Sequence, residues 1–594
     1  GPAAAGAPSA AAAGTAAAPA GDTETQGPGE PGSANPIEGP WTAPMPVFTL
    51  HGYFRVRGEL QDNFFLGRDG RLVGVDDYPF TRFVPADRNA SAAGGCATLV
   101  TDPNQDTSCS GSSDRLRFAN MRLRLDPTIA LSDDVRVHVR ADIFDNLVLG
   151  STPDSRAYVP APNGTVTRAG ASGQPRVPGV PVDTFTNGQQ PPEHGRNSLQ
   201  DSIVIRRAWA EVTNRGIGQL RFGRMGNQWG LGMLWNSGDG IDSDYSSEVD
   251  RVMGITKLAG FYFGASWDFA DEGLISQPVS RLAGIPFDAT QRDDIRQYSL
   301  LVAHRLEPEE QRARLERGDW VLNGGLYFIL RKQGFSSAPA APFAQADPTQ
   351  GFSDFVRRNA RMYIPDIWVQ FLWKSLRLEL EMATVAGRVR NIFPDFQNDE
   401  YKLRQLGFAF ESEYRVLDDK LGVYFKTGLA TGDSDVDGLS IYENTAEQRT
   451  TGANNQVNHR LSQFTFNPNY RVDLILFRNI LGSVGGAYYF RPGISYDIIH
   501  NAFGRLFGAR VDFIYSRAAK AAQTYGDDGN LGFEIDTSLY YRSEDGPDLL
   551  DGFYAAFNYG VLFPLAGLDY RSSLGVSRGV SRAQTLRLLL GVEF

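Results

Sequence analysis

The sequence predicts an all-β transmembrane barrel: an up-and-down antiparallel ring of about 18 strands, with long extracellular loops and short periplasmic turns. Three observations carry this. Apolar residues alternate with polar ones in run after run. The connections alternate too, long after odd-numbered runs and mostly short after even-numbered ones. The chain ends inside the last run, at Phe594, where a terminus is usually polar and frayed.

The first run, "FTLHGYFRVRGEL", sets Phe48, Leu50, Phe54, Val56 and Leu60 on one face. His51, Tyr53, Arg55, Arg57 and Glu59 occupy the other. "MRLRLDPTIA" and "VRVHVRADIF" repeat the pattern around the turn "LSDD", giving strands at 115–129 and 135–145. Strands follow at 202–213, 218–225, 251–258 and 261–270. The next fall at 294–306 and 319–331, joined by "EPEEQRARLERGDW", a connection polar and Gly-poor enough for a helical turn or two. "IWVQFLW" and "RLELEMAT" flank the turn "KS" and give 361–374 and 376–389. Strands at 402–415, 421–431, 488–498, 506–518, 531–543 and 552–563 lead to the last, 583–594. There Leu586, Leu588, Leu590, Val592 and Phe594 share one face. That strand must pair with 48–60, because an open sheet edge does not persist in lipid.

Composition bounds the alternatives. No stretch approaches the roughly 18 apolar residues of a membrane-crossing helix, and mean hydropathy is −0.30. A net charge of −11 argues against a nucleic-acid partner. Residues 1–46, rich in Ala, Pro and Gly, cannot bury a core and read as a disordered linker before the barrel of 47–594. Within the barrel the long loops are 61–114, 146–201, 332–360 and 432–487. The two cysteines, Cys96 and Cys109, share the first of these and read as a local disulfide in an oxidising compartment.

If the apolar face meets lipid, the other face lines the lumen. The last strand and the first five then contribute Arg587, Arg55, Arg57, Arg122, Arg124, Arg136, His138, Arg140, Arg207 and Arg221. Glu379, Glu381, Glu411 and Glu413 lie on the eleventh and twelfth strands, which an 18-strand ring places opposite the second and third. A basic wall facing an acidic one would orient polar solutes and concentrate anions; the plainer reading is local salt bridging. Eighteen strands enclose a water-wide lumen unless loops fill it. The apolar stretch "YRVDLILFRNILGSV" in loop 432–487 reads as an amphipathic helix able to plug the lumen or to cap it from outside.

Asp433, Asp435 and Asp437, before Gly438, alternate as the oxygen ligands of a calcium loop do, but Asn444 stands where such a loop ends in Glu. The first reading is an acidic, solvated loop tip; bound Ca²⁺ is the second. Trp229 and Trp235, among glycines, read as packing or interface anchors before they read as platforms for sugar rings. His51 and His138 fall on the lumen face with no nucleophile spaced to them, so no enzyme is expected.

Several stretches, among them "QLRFGRMGNQWGLGML", "FNPNYRVDLILFRNILG", "YFRPGISYDI" and the terminal "QTLRLLLGVEF", resemble an uncharacterised porin-like barrel family of myxobacteria and relatives. The resemblance implies a bacterial outer-membrane barrel; the loop alternation puts both termini at the short-turn, periplasmic end. Membrane lipid, lipopolysaccharide and the outer-membrane assembly machinery would be its partners, the last through a terminal aromatic such as Phe594. It implies no substrate, catalytic residue or cofactor. The expected function is passive diffusion of small hydrophilic solutes, with anions favoured by the arginines. The alternatives are a conduit for polysaccharide export and a loop-plugged barrel that binds partners at the cell surface.

Overall fold

A computed structural model describes residues 47–67, 114–148, 203–214, 216–273, 291–337, 355–392, 400–435, 438–440, 459–500, 505–543, 552–571 and 577–594, with Phe83 and the short strand residues 158–160, 166–168, 276–277 and 287–288. The N-terminal 1–46, Cys96, Cys109 and Asp437 lie outside the described residues, as do most of loops 61–114 and 146–201.

The sheet is a closed antiparallel meander. Its strands are β1 (Phe48–Asp62), β2 (Arg115–Ser132), β3 (Val135–Val148), β4 (Ile203–Asn214), β5 (Gly218–Gly226), β6 (Glu248–Leu258), β7 (Phe261–Asp271), β8 (Ile295–His304) and β9 (Trp320–Ser337). The ring continues through β10 (Phe355–Trp373), β11 (Leu376–Arg390), β12 (Glu400–Val416), β13 (Leu421–Ala430), β14 (Ala487–His500), β15 (Leu506–Ala518), β16 (Asn530–Arg542), β17 (Phe553–Pro564) and β18 (Ala583–Glu593). Each strand pairs with its sequence neighbour, and β18 returns to β1 in a register running from Tyr53 opposite Glu593 to Asp62 opposite Gln584. Gly52 and Phe594 extend the seam by exchanging both backbone hydrogen bonds, at 2.8 and 3.0 Å. The terminal aromatic is thus part of the closure.

The turns agree with the loop alternation. Residues 133–134, 259–260 and 374–375 join their strands in two-residue turns, and the helix α1 (Pro308–Glu316) sits in the β8–β9 connection. Strands β9 and β10 extend beyond the pattern read from the sequence, shortening the connection between them from 332–360 to 338–354. Burial is inverted relative to a water-soluble protein. On β18, Leu588 is 44% exposed while Arg587 is 1% exposed. Apolar side chains outside and charged ones inside suit a sheet solvated by lipid.

Candidate functional site

The lumen is occupied. Two connections at the long-loop end fold inward, residues 227–247 between β5 and β6 and residues 459–486 between β13 and β14. Among the packed residues inside are Trp229, Met233, Phe464, Phe466, Val472, Ile475, Leu476, Phe477, Ile480 and Leu481, against wall residues such as Tyr327, Trp368, Tyr489 and Ile514. The apolar stretch at 470–484 does fold inward, but it is not an amphipathic helix. Only Leu476–Ile480 winds, as one π turn, and Leu476, Phe477, Arg478 and Ile480 are all buried. A helix with a wet face has no place in a packed lumen; instead, wall carboxylates and one of the segment's own satisfy its free N–H groups. Glu534 accepts from Leu474, Ile475 and Leu476 at 2.8–3.1 Å, and Asp473 accepts from Phe477 and Arg478.

Segment 227–247 crosses from one wall to the other. At the acidic wall, Glu381 accepts the backbone N–H groups of Met233 and Leu234, both at 3.2 Å. Trp229 packs beside Tyr327 and Trp368 with ring centroids 5.6 and 6.2 Å away, which is the packing role expected of it. Trp235 lies near the Arg331 guanidinium, 5.8 Å from its ring centroid. At the basic wall the same segment presents Asp239, Asp242 and Asp244. Asp239 takes hydrogen bonds from Arg140 and, at 2.9 Å, Arg207. Asp242 is met by Arg57 at 3.0 Å, Arg587 at 2.7 Å and Arg478 at 2.8 Å. Asp244 is met by Arg57 at 2.8 Å and Arg471 at 3.1 Å, with Arg55 at 3.7 Å. Guanidiniums also hold the segment's backbone, Arg55 on the Ile241 carbonyl, Arg122 on Ser243 and Arg124 on Gly238.

The inner segments are tied to each other. Asn467 donates its backbone N–H to the Met233 carbonyl at 2.7 Å. The Asn469 amide bridges Asn236 Oδ1 and Ser243 Oγ at 2.8 and 3.0 Å.

The predicted wall residues therefore separate into groups. Arg55, Arg57, Arg122, Arg124, Arg140, Arg207 and Arg587 converge on segment 227–247, while Arg124 also chelates Asp142 with bonds of 2.7 and 3.0 Å. Arg136, His138 and Arg221 surround Glu211 instead, and His138 stacks on Trp209 at 4.0 Å. On the far side Glu379 is bound by Trp368 and Arg377, Glu411 by Lys426 and Tyr470, and Glu413 by Arg415. The two walls do not confront each other across open water, since the inner segments stand between them. Asp433 and Asp435 are buried, not solvated; Asp433 accepts the N–H groups of Asp435 and Ser462. Among the described residues no three His, Cys, Asp or Glu side chains are arranged to hold a metal ion.

The 227–247 contribution is what the sequence reading missed. The signal was on the receiving wall. Small residues occupy lumen positions where inner side chains dock: a Cβ at Gly407 would lie 2.2 Å from the Phe464 ring, and one at Gly325 would lie 2.8 Å from Trp229.

Burial would push the Asp242 and Asp244 carboxyls up. The surrounding guanidiniums, Arg478, Arg587 and Arg57 for the first and Arg57, Arg471 and Arg55 for the second, outweigh it and hold both far below the ordinary value of 3.8. A carboxyl depressed by docking stabilises docking above its undocked value and loses that contribution as pH falls below it. Docking of segment 227–247 is therefore expected to be unaffected by pH from neutrality down to about 4 and to loosen below it. Protease accessibility of the segment across a pH series checks this; a transition near neutrality would assign the hold to other groups.

A closed ring of this kind, apolar outside and filled by its own loops, defines an outer-membrane-type β-barrel. No family model matches the chain, and no curated protein does. Solved structures of similar architecture include Pseudomonas aeruginosa OccK9 (OpdG), with TM-score 0.44 and 11% identity over 92% of this chain and 98% of that one. P. aeruginosa OpdK with vanillate gives 0.41 and 10%, with coverages of 92% and 98%. OmpT, an outer membrane protein of Vibrio cholerae, gives 0.32 and 7%, with coverages of 92% and 97%.

Proposed function

We propose that the chain is a porin-like channel of the bacterial outer membrane, with periplasmic termini, passing small hydrophilic solutes and preferring anions. One observation carries the reading. Around Asp242 and Asp244, five guanidiniums (Arg55, Arg57, Arg471, Arg478 and Arg587) face three carboxylates, the third being Glu59 beside Arg57 at 2.9 Å. The surplus is positive in a narrow passage with low-dielectric walls, where a field acts most strongly. The resemblance to porin-like barrels of myxobacteria points the same way. Lipid, lipopolysaccharide and the assembly machinery are the partners of this reading, and it includes no enzymatic step. The apolar packing of the lumen favours one second reading, a barrel kept shut by its loops that binds partners at its outer end.

Single-channel conductance with the reversal potential under a salt gradient decides between them. The expected result is open channels with anion preference. Charge reversal at Arg122, Arg124 and Arg136 together is expected to move the reversal potential toward cations. A silent barrel supports the second reading, and an unmoved reversal potential removes Arg122, Arg124 and Arg136 from selectivity.

A further inference from the structure

We propose that the loop carboxylates Asp242 and Asp244 act as a tethered surrogate ligand, occupying an arginine site that a soluble short dicarboxylate takes over when it displaces the tip of segment 227–247, residues 238–245. The inference rests on the channel reading and deepens it by naming a ligand class and a means of opening.

The geometry is that of a ligand in a site. Two carboxylates two residues apart converge so closely that single arginines serve both. Arg57 reaches Asp242 at 3.0 Å and Asp244 at 2.8 Å. Arg478 reaches them at 2.8 and 3.5 Å. Arg587 and Arg471 close the site from either side, on Asp242 and Asp244 respectively. Such forked contacts are how guanidiniums recognise paired acids. The arginines come from three separate places, β1, β18 and segment 459–486, so the site does not depend on segment 227–247 for its cations.

The site is also incompletely filled. Arg587 is 1% exposed, yet its Nη1 is buried without a hydrogen-bond acceptor, as is Nε of Arg471, and the Arg587 Nε meets only Glu59, at 3.5 Å. Buried donors left in this state are costly. A free dicarboxylate, not constrained by a backbone, can turn its oxygens toward them.

Magnitudes favour displacement of this segment over its neighbour. Asp242 and Asp244 keep 32% and 21% of their side-chain surface exposed, so they are reachable and their ion pairs are weakened by solvent. The 459–486 segment is anchored by buried apolar side chains, which a soluble ion cannot replace. The exchange is carboxylate for carboxylate and leaves the local charge unchanged, so it does not carry the cost of exposing bare arginines to one another.

The test uses the full-length protein in a planar bilayer with chloride as the reference anion. Millimolar succinate is expected to raise channel conductance severalfold, whereas acetate at equal charge is expected to do much less. Asp242→Asn with Asp244→Asn is expected to give a channel already in the raised state and unresponsive to succinate. Calorimetry on the detergent-folded protein provides a second measurement, independent of insertion, with succinate heat expected for the wild type. Anion-selective channels that ignore succinate, with no binding heat, overturn the surrogate-ligand inference and leave the channel reading standing. A barrel that conducts under no condition overturns the channel reading itself.

Discussion

Replacing residues 472–481 by a Gly/Ser linker is expected to raise single-channel conductance severalfold while the barrel still folds. The ten positions hold Val472, Leu474, Ile475, Leu476, Phe477, Ile480 and Leu481, each 6% exposed or less. Such side chains each contribute about 1.5–3 kcal/mol when buried. A linker removes that drive and gains loop entropy by staying outside. The walls it leaves remain closed by backbone ladders that do not involve this segment. The replacement also exposes Glu534 and Asp536, which currently receive the Leu474 N–H. The reversal potential should therefore shift toward cations as conductance rises. An unaltered conductance would mean the ion path avoids this segment, and the lumen at that level is closed by segment 227–247 alone.

The inner segments differ in what holds them. Segment 459–486 is fixed by apolar contact, the non-directional term that is large and insensitive to salt. Segment 227–247 has an apolar root at Trp229 and Met233, but its tip from Gly238 to Tyr245 is held by ion pairs and by arginines on carbonyls. Charge contacts of that kind respond to pH and to competing ions. In the proposed channel the first segment is the fixed filling, and the tip of the second is held by the contacts that a competing ion can exchange. The Asn467 and Asn469 bonds mean that a shift of the tip is felt at the start of the other segment.

The ring itself was legible because period-two alternation is a local signal that repeats. All 18 barrel strands lie where the alternation put them, and Leu588 and Arg587 take the opposite faces that parity gave them. Phe594 was read correctly as belonging to the closing strand, since closure is required by lipid wherever the seam falls. The lumen was less legible. Parity assigned Arg57 and Arg587 to the inside but could not show that Asp242, 185 residues from one and 345 from the other, would meet them there. Segment 227–247 was read through its tryptophans, not its aspartates, because carboxylates among Gly and Ser look like ordinary turn chemistry. The apolar run at 472–481 was rightly seen as unsuited to solvent. Its form was misread because a helical pattern of side chains does not reveal that Glu534 caps the turn from across the lumen.

Asp142→Ala is expected to destabilise the barrel by about 3–5 kcal/mol, the cost of leaving buried guanidiniums without their counter-ion. Asp142 is fully buried on β3 and serves three cations: Arg124 through two hydrogen bonds, Arg206 at 3.1 Å and Arg122 at 3.9 Å. Arg122 and Arg124 sit two residues apart on β2 and are themselves 1% and 3% exposed. Without Asp142 they repel each other where water is scarce. Among their other bonds are those of Arg122 to the Ser243 carbonyl and the Tyr53 hydroxyl and of Arg124 to the Gly238 carbonyl, groups that accept but do not neutralise. Part of the loss should therefore appear as loosening of the 227–247 tip, visible as higher conductance noise before the barrel unfolds. Arg206→Ala is the control, because Arg206 is 29% exposed in its side chain and a partly solvated pair is worth much less. Denaturant midpoints of the detergent-folded proteins measure both. Equal, small losses in the two variants would show that water reaches Arg122 and Arg124 freely, and that the basic wall is wetter than its packing implies. A large loss confined to Asp142→Ala would show that the wall depends on its own acids for stability.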